Sequence, residues 1–315
     1  MTEIINTMGG TQPRTAAAAV KWVGGLAEWQ DGDTTYLSVA FTYKLDEAYS
    51  RALFAKACGQ RVVVGGPALF LVKMQHILAD VAEIQNTFPD AISKHNPSAT
   101  IASRGCPVGC WFCIVPAMEG RDFTLLPDFP VRPILCDSNL SALPGDYQNH
   151  IIARYRSEGV KLRDANSGFE PITFTAEVYD RWKELVNAGG GPWRFAYDEA
   201  KERRDVIRVM AMLRSEPQKR KRVYVLIGNE PFDDCMRRIH EILEYGCEPH
   251  VQPYMKLTAL RRDPHVRFDW TSQKLKDVAR WANGWVWKRA PFEEYDRFRK
   301  TARHETYDAQ EGLFV

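Results

Sequence analysis

The stretch Ser103-Arg-Gly-Cys-Pro-Val-Gly-Cys-Trp-Phe-Cys-Ile-Val-Pro-Ala-Met-Glu-Gly120 carries three of the chain's seven cysteines, Cys106, Cys110 and Cys113. Their spacing is Cys-x3-Cys-x2-Cys, with Phe112 just before the last thiol. Seven cysteines scattered over 315 positions would produce this triple about 0.003 times per chain. A structural zinc site asks for four ligands, usually in two pairs, and no second Cys-x2-Cys occurs. The nearest upstream histidine, His95, lies outside the stretch. Thiolates are the usual ligands of iron–sulfur clusters. Three of them on a four-iron cluster leave one iron uncovered, an open position of the kind used in metal catalysis.

The surroundings place this loop in an α/β context. Upstream, TTYLSVAFTY (34–43) reads as a strand. KLDEAYSRALFAKACG (44–59) follows as a helix, with Leu45, Ala48, Tyr49, Ala52, Leu53 and Ala57 as its apolar positions. QRVVVGGPAL (60–69) is a second strand, so the run forms a βαβ unit. Residues 1–32 are ambiguous between helix and loop. Downstream, TIAS (100–103), RPILCD (132–137), VKLRDA (160–165), WRFAYD (193–198), VYVLIG (223–228) and HVQPYM (250–255) alternate with helices such as 176–189 and 233–246. Six strands in this rhythm predict a parallel sheet curled towards a barrel. In such folds sites form at the carboxyl ends of the strands, and the cysteines follow the first strand of this block. The tail TSQKLKDVARWANGWVWKRA (271–290) reads as a covering helix anchored by Leu275, Val278, Trp281 and Trp285. The expected divisions are 1–98, 99–260 and 261–315.

Composition bounds the partners. The formal net charge is +2, from 42 basic and 40 acidic residues. It gives no overall pull towards nucleic acid or anionic membrane. No apolar run approaches the ~20 residues of a membrane span, so the expected location is the cytoplasm.

CPVGCWFC matches the signature of radical S-adenosylmethionine (SAM) enzymes, Cys-x3-Cys-x-aromatic-Cys, and the chain resembles that family. The resemblance implies a partial (β/α)6 barrel and a 4Fe-4S cluster held by Cys106, Cys110 and Cys113, with Phe112 at the aromatic position. It further implies SAM as co-substrate, hydrogen abstraction by a 5′-deoxyadenosyl radical, and an external electron donor such as flavodoxin or ferredoxin. SRGCPVGCWFCIVPAMEG looks like the loop of the branch containing methylthiotransferases and cobalamin-domain enzymes. VAFTY…VVVGGPAL resembles a degenerate cobalamin-binding-like domain. ILCDSNLSALP, NSGFEP, FAYDEA, YVLIGNE and WANGWVWKRAPFEEY look like a compact subgroup often encoded by phages and prophages. That likeness implies a nucleobase substrate, such as a hypermodified thymine in phage DNA undergoing rearrangement, with DNA as a partner and the host cytoplasm as the location.

Several departures narrow this expectation. No Asp-x-His-x2-Gly pattern is present, and His76 sits in a helix-like run, which argues against cobalamin. Cys58 is the only cysteine before the motif, so a second cluster and methylthiolation are not expected. A Gly-Gly-Glu motif for the SAM amino group is missing.

Candidate SAM-binding positions fall after successive strands: Asp137 and Asn139, then Asn166, Ser167 and Glu170, then Tyr197 and Asp198, then Gly228. Each has a plainer alternative as a turn former or helix cap. Arg163 can pair with a carboxylate or point outward. Cys136 reads as a buried structural thiol. Gln252 and Tyr254 are substrate-side candidates. The basic runs KERR (201–204) and QKRKR (218–222) can meet phosphates or simply be solvated. Methyl transfer or chemistry on a small molecule or peptide remains open, as do a zinc-stabilised binding module and a non-catalytic iron–sulfur protein.

Overall fold

The computed structural model describes residues 22–72, 78–86, 88–166 and 168–295. Strand β1 (Leu26–Asp31) turns at Gly32-Asp33 into β2 (Thr34–Val39), and the two pair antiparallel. Helix α1 (Leu45–Ala57) crosses to β3 (Arg61–Gly65), which pairs parallel with β2. Helix α2 (Pro67–Leu71) and strand β4 (Glu83–Gln85), parallel to β3, follow, and α3 (Ala91–His95) closes this first layer. Its core joins Leu37 and Val39 of the sheet to Leu45, Ala48 and Ala52 of α1. The expected βαβ unit is present, but Leu53 and Ala57 face solvent, and Ala55 takes an inward position instead.

His95 ends α3 inside this layer, with Nε2 3.0 Å from Ser38 Oγ. Burial pushes its imidazole down to about 4. Below pH ~6.5 the unfolded chain takes up a proton that the folded chain refuses, so stability is lost as pH falls from 6.5 towards 4. This one group removes about 2 kcal/mol between pH 7 and pH 5. Urea midpoints of wild type and His95→Gln at the two pH values check it: the variant should fall less, and equal falls would refute the assignment.

The second block contains β5 (Ala99–Thr100), β6 (Ser103–Arg104), α4 (Val115–Met118), β7 (Thr124–Leu125), β8 (Ile134–Leu135), α5 (Gly145–Ser157), β9 (Asp164–Ala165) and α6 (Ala176–Gly189). It continues with β10 (Trp193–Ala196), α7 (Arg203–Met212), β11 (Lys221–Ile227), α8 (Phe232–Glu244), β12 (Glu248–Pro253) and α9 (Ser272–Asn283). Strands β5, β8 and β9 form one parallel sheet, and β10, β11 and β12 form another. The fold is therefore mixed α/β with several small sheets, and no closed barrel forms among the described residues. At the seam the Phe169 amide donates to Arg194 O at 2.9 Å. Gly168 sits there with φ +80°, and a Cβ on it would meet Arg194 O at 2.4 Å, so only glycine allows this approach.

Helix α6 forms for local reasons. Thr175 caps it by accepting from the Val178 amide, and Gly190 ends it in the left-handed region. Val178, Trp182, Leu185 and Val186 line its buried face. Strands β10 to β12 alternate: Phe195, Val223, Val225, Ile227 and Val251 pack under helices, while Arg194, Arg222, Tyr224, Glu248 and His250 occupy the other face. There Asp164 takes a two-pronged ion pair from Arg194, with both contacts at 2.6 Å. The Tyr224 hydroxyl oxygen accepts from the same guanidinium, and its ring meets His250 edge-on. Burial, with Arg222 and Arg194 nearby, pushes His250 down to about 3.

Helix α9 packs against β12, burying Leu275, Val278 and Trp281. The Asn283 side chain exchanges two hydrogen bonds with the Val251 backbone. Trp285, expected as a fourth anchor, is instead half-exposed, because the chain leaves the helix there in a left-handed turn. Among the described residues no helix is long and apolar enough to cross a membrane.

Candidate cysteine-loop site

The cysteine loop is held at both ends. Its stem is the short β6–β7 hairpin, and the Cys106 amide donates to Gly120 O. The Glu119 carboxylate takes the Gly105 amide at 3.0 Å and Arg104 at 2.7 Å. Gly105 has φ +92°, and a Cβ there would meet Asp122 O at 2.3 Å. The loop can thus leave the stem only through a glycine. The Cys113 amide donates to Cys110 O, which turns the chain between those two thiols.

Cys106, Cys110 and Cys113 are half-buried, whereas Cys136, Cys235 and Cys247 are fully buried. Burial pushes all three loop thiols up, and for Cys110, with Glu170, Cys113, Glu202 and Asp198 adding to the effect, to about 12. Two sulfurs already accept hydrogen bonds. The Val115 amide donates to Cys113 Sγ at 3.4 Å, and Asn139 Nδ2 donates to Cys106 Sγ at 3.8 Å. Trp111 stands half-exposed, edge-on to Phe112 at 5.4 Å and to Tyr254 at 5.2 Å.

The ends of successive strands meet this loop. Asn139, beyond β8, accepts from Ser141 Oγ and the Ala142 amide while donating to Cys106. It is thus both a turn former and a thiol partner. Glu170, beyond β9, is pushed up to about 7 by burial and by Glu202 and Asp198. Asp198, beyond β10, is also raised to about 7 by burial and Glu202, while its carboxylate accepts from the Leu226 amide. Tyr254, beyond β12, completes the ring.

Other expected site residues are engaged elsewhere. Asp137 is fully buried, and its carboxylate accepts from the Ala102 amide at 2.9 Å and from Ser103 Oγ. It braces the strand that leads into the loop, and burial raises it to about 6. Asn166 is buried beside Cys136, whose sulfur it bonds. Tyr197 turns away, its hydroxyl donating to Glu241 on α8. The open side of Gly228 faces Leu275 of α9. Arg163 is exposed, and Arg194 is the cation that pairs inside. Ser167 and His76 lie outside the described residues.

The sequence reading missed Glu202, Glu119 and Trp111. Asp198 was weighed as a helix cap, but the cap is Glu199, in a capping box with Glu202. The spacing Glu199-x2-Glu202 was the available signal. The basic runs are largely consumed by the fold. Lys201 pairs with Glu199, Arg203 with Glu241 and Arg222 with Glu248, and Arg220 bonds the backbone oxygens of Val186 and Gly191.

Among the described residues no group of three or more His, Cys, Asp or Glu side chains converges on a single ion. A four-iron cluster does not require that convergence, because each thiolate binds a different iron. Three half-buried thiols on one braced loop, two of them already accepting N–H bonds, fit such a cluster. No protein-family model matches the chain, and no curated protein matches it in sequence.

Proposed function

We propose that this protein is a radical SAM enzyme whose Cys106, Cys110 and Cys113 each hold one iron of a 4Fe-4S cluster. The observation that carries this reading is the Cys-x3-Cys-x-aromatic-Cys loop braced against the carboxyl ends of parallel strands. The two three-stranded sheets are read as adjoining arcs of one partial (β/α)6 barrel. The Phe169–Arg194 hydrogen bond and the Asp164–Arg194 ion pair support that reading. When bound and reduced, the cluster supplies cleavage of SAM to methionine and a 5′-deoxyadenosyl radical that takes hydrogen from substrate.

The chain's own residues divide the remaining tasks. Because the thiols are raised, loading iron releases their protons, and affinity rises with pH. Asn139 and the Val115 amide orient and polarise the sulfurs of Cys106 and Cys113. The carboxyls of Glu170, Asp198 and Glu202 form an acidic wall suited to the positively charged sulfonium and ammonium groups of SAM. Trp111 and Phe112 screen the loop from water. The proposed substrate is a nucleobase, such as a modified thymine in DNA, acted on in the cytoplasm with electrons from a flavodoxin- or ferredoxin-type donor.

Anaerobic reconstitution tests the class. The protein should turn brown with about four irons per chain, its cluster spectrum should change on addition of SAM, and dithionite should then yield 5′-deoxyadenosine. Colourless protein that takes only zinc would sink the reading. A cluster indifferent to SAM would mark an electron carrier instead.

A further inference from the structure

The segment after β12 carries charge that the fold leaves unpaired. Between Tyr254 and Phe268 stand Lys256, Arg261, Arg262 and Arg267, against one acid, Asp263. All four cations are exposed, and among the described residues none of their side chains has a hydrogen-bond or ion-pair partner. This contrasts with the basic runs at 201–204 and 218–222, which the fold mostly consumes. Desolvation, and then the nearby Lys256 and Arg267, disfavour the charged form of His265. Like charges are therefore gathered here with a single carboxylate, Asp263, among them.

The segment has a fixed place. The Thr42 hydroxyl bonds the backbone oxygens of Leu257 and Ala259, tying it to the first layer. The His265 amide donates to Tyr254 O, folding it back on itself. Flat rings are interleaved with the cations. Trp111, Tyr254 and His265 form an edge-to-face series with centroid distances of 5.2 and 5.8 Å, starting between the cluster cysteines and leading outward. Phe268 is exposed beneath the Arg267 guanidinium, and Arg262 lies by Tyr43, which stacks on Phe41.

We propose that residues 254–268, together with Trp111, form the surface that holds a single-stranded nucleic acid beside the cysteine loop. Cations that track phosphates and exposed rings on which unpaired bases stack are what single-strand binding requires. The segment is an irregular loop, with neither the helix nor the ribbon that reads a duplex major groove. An anionic membrane would match the charge but offers nothing flat to stack on the rings. The choice of nucleic acid rests on the nucleobase reading above, whereas the location rests on the unpaired cations.

Binding is measured on the full chain without reductant or SAM, so that it fails or succeeds independently of 5′-deoxyadenosine formation. The probe is a fluorescein-labelled oligothymidylate, read by anisotropy. Four phosphate contacts predict about a 50-fold loss of affinity between roughly 50 and 200 mM salt. Arg261→Gln/Arg262→Gln should bind more weakly and lose only about 7-fold over the same range. Arg204→Gln, a highly exposed cation outside the segment, should behave as wild type. The proposal is overturned if the oligonucleotide does not bind, if the double variant binds like wild type, or if Arg204→Gln weakens binding equally. Tighter binding of a duplex or of phosphatidylserine vesicles than of the single strand would overturn it as well.

Discussion

Cys110→Ala, reconstituted anaerobically, is expected to lose the cluster and its 5′-deoxyadenosine formation while keeping its fold. Removing an outer partner of a metal ligand already costs about 10–100-fold in affinity or activity. Loss of a ligand should therefore exceed about 100-fold. Asn139→Ala supplies the graded comparison, since its amide touches the Cys106 sulfur, its own turn and, at 3.5 Å, the Thr173 hydroxyl. It should fall within the 10–100-fold band. Cys136→Ala is the control, because that thiol is buried in a separate core with Trp22, Ala99 and Ile134. Iron counts and SAM cleavage would be measured side by side. If Cys110→Ala keeps wild-type iron, or Cys136→Ala loses it, the ligand assignment is wrong.

Arg194→Ala should give the largest loss of stability. It leaves the Asp164 carboxylate buried without its guanidinium and takes a partner from Tyr224. Breaking a buried pair from one side costs about 3–5 kcal/mol. In a chain of this size that lowers the melting temperature by roughly 6 °C. Replacing both partners, Arg194→Met with Asp164→Leu, should recover most of the loss, because the cost lies in the stranded charge. A single variant that melts with wild type would show that the pair carries no such burden.

The sequence made some elements legible and hid others for identifiable reasons. Helix α6 was readable end to end, since Thr175, the apolar spacing through Trp182 and the glycines after Ala188 all agree. Strand β1 was missed because residues 1–32 read as ambiguous between helix and loop. Yet Gly32-Asp33 was a two-residue hairpin signal, with glycine supplying the positive φ of +59° at the first turn position. Of the expected strand 100–103 only Thr100 lies in the parallel sheet, in β5, while Ser103 opens the antiparallel strand β6, and of 160–165 only Asp164 and Ala165 pair.

The cysteine loop was legible because chemistry fixes its spacing. The fates of Asp137 and Tyr197 were not, because a carboxylate or phenol at a strand end looks the same whether it faces the loop or a backbone amide. The segment 254–268 escaped notice for a different reason. Only Arg261 and Arg262 adjoin, with Lys256 and Arg267 standing apart, and only the structure distinguishes these cations from the paired ones of 201–204.

The Asn283 side chain has a consequence beyond holding α9 in place. Strand β12 has β11 on one side only, so Val251 would otherwise present a bare N–H and C=O to any passing chain. A carboxamide offers the same donor and acceptor as a peptide bond, and here it fills the rung that a fourth strand of this sheet would take. The sheet is thereby closed to edge-to-edge addition by another copy, without a further strand being spent to do it.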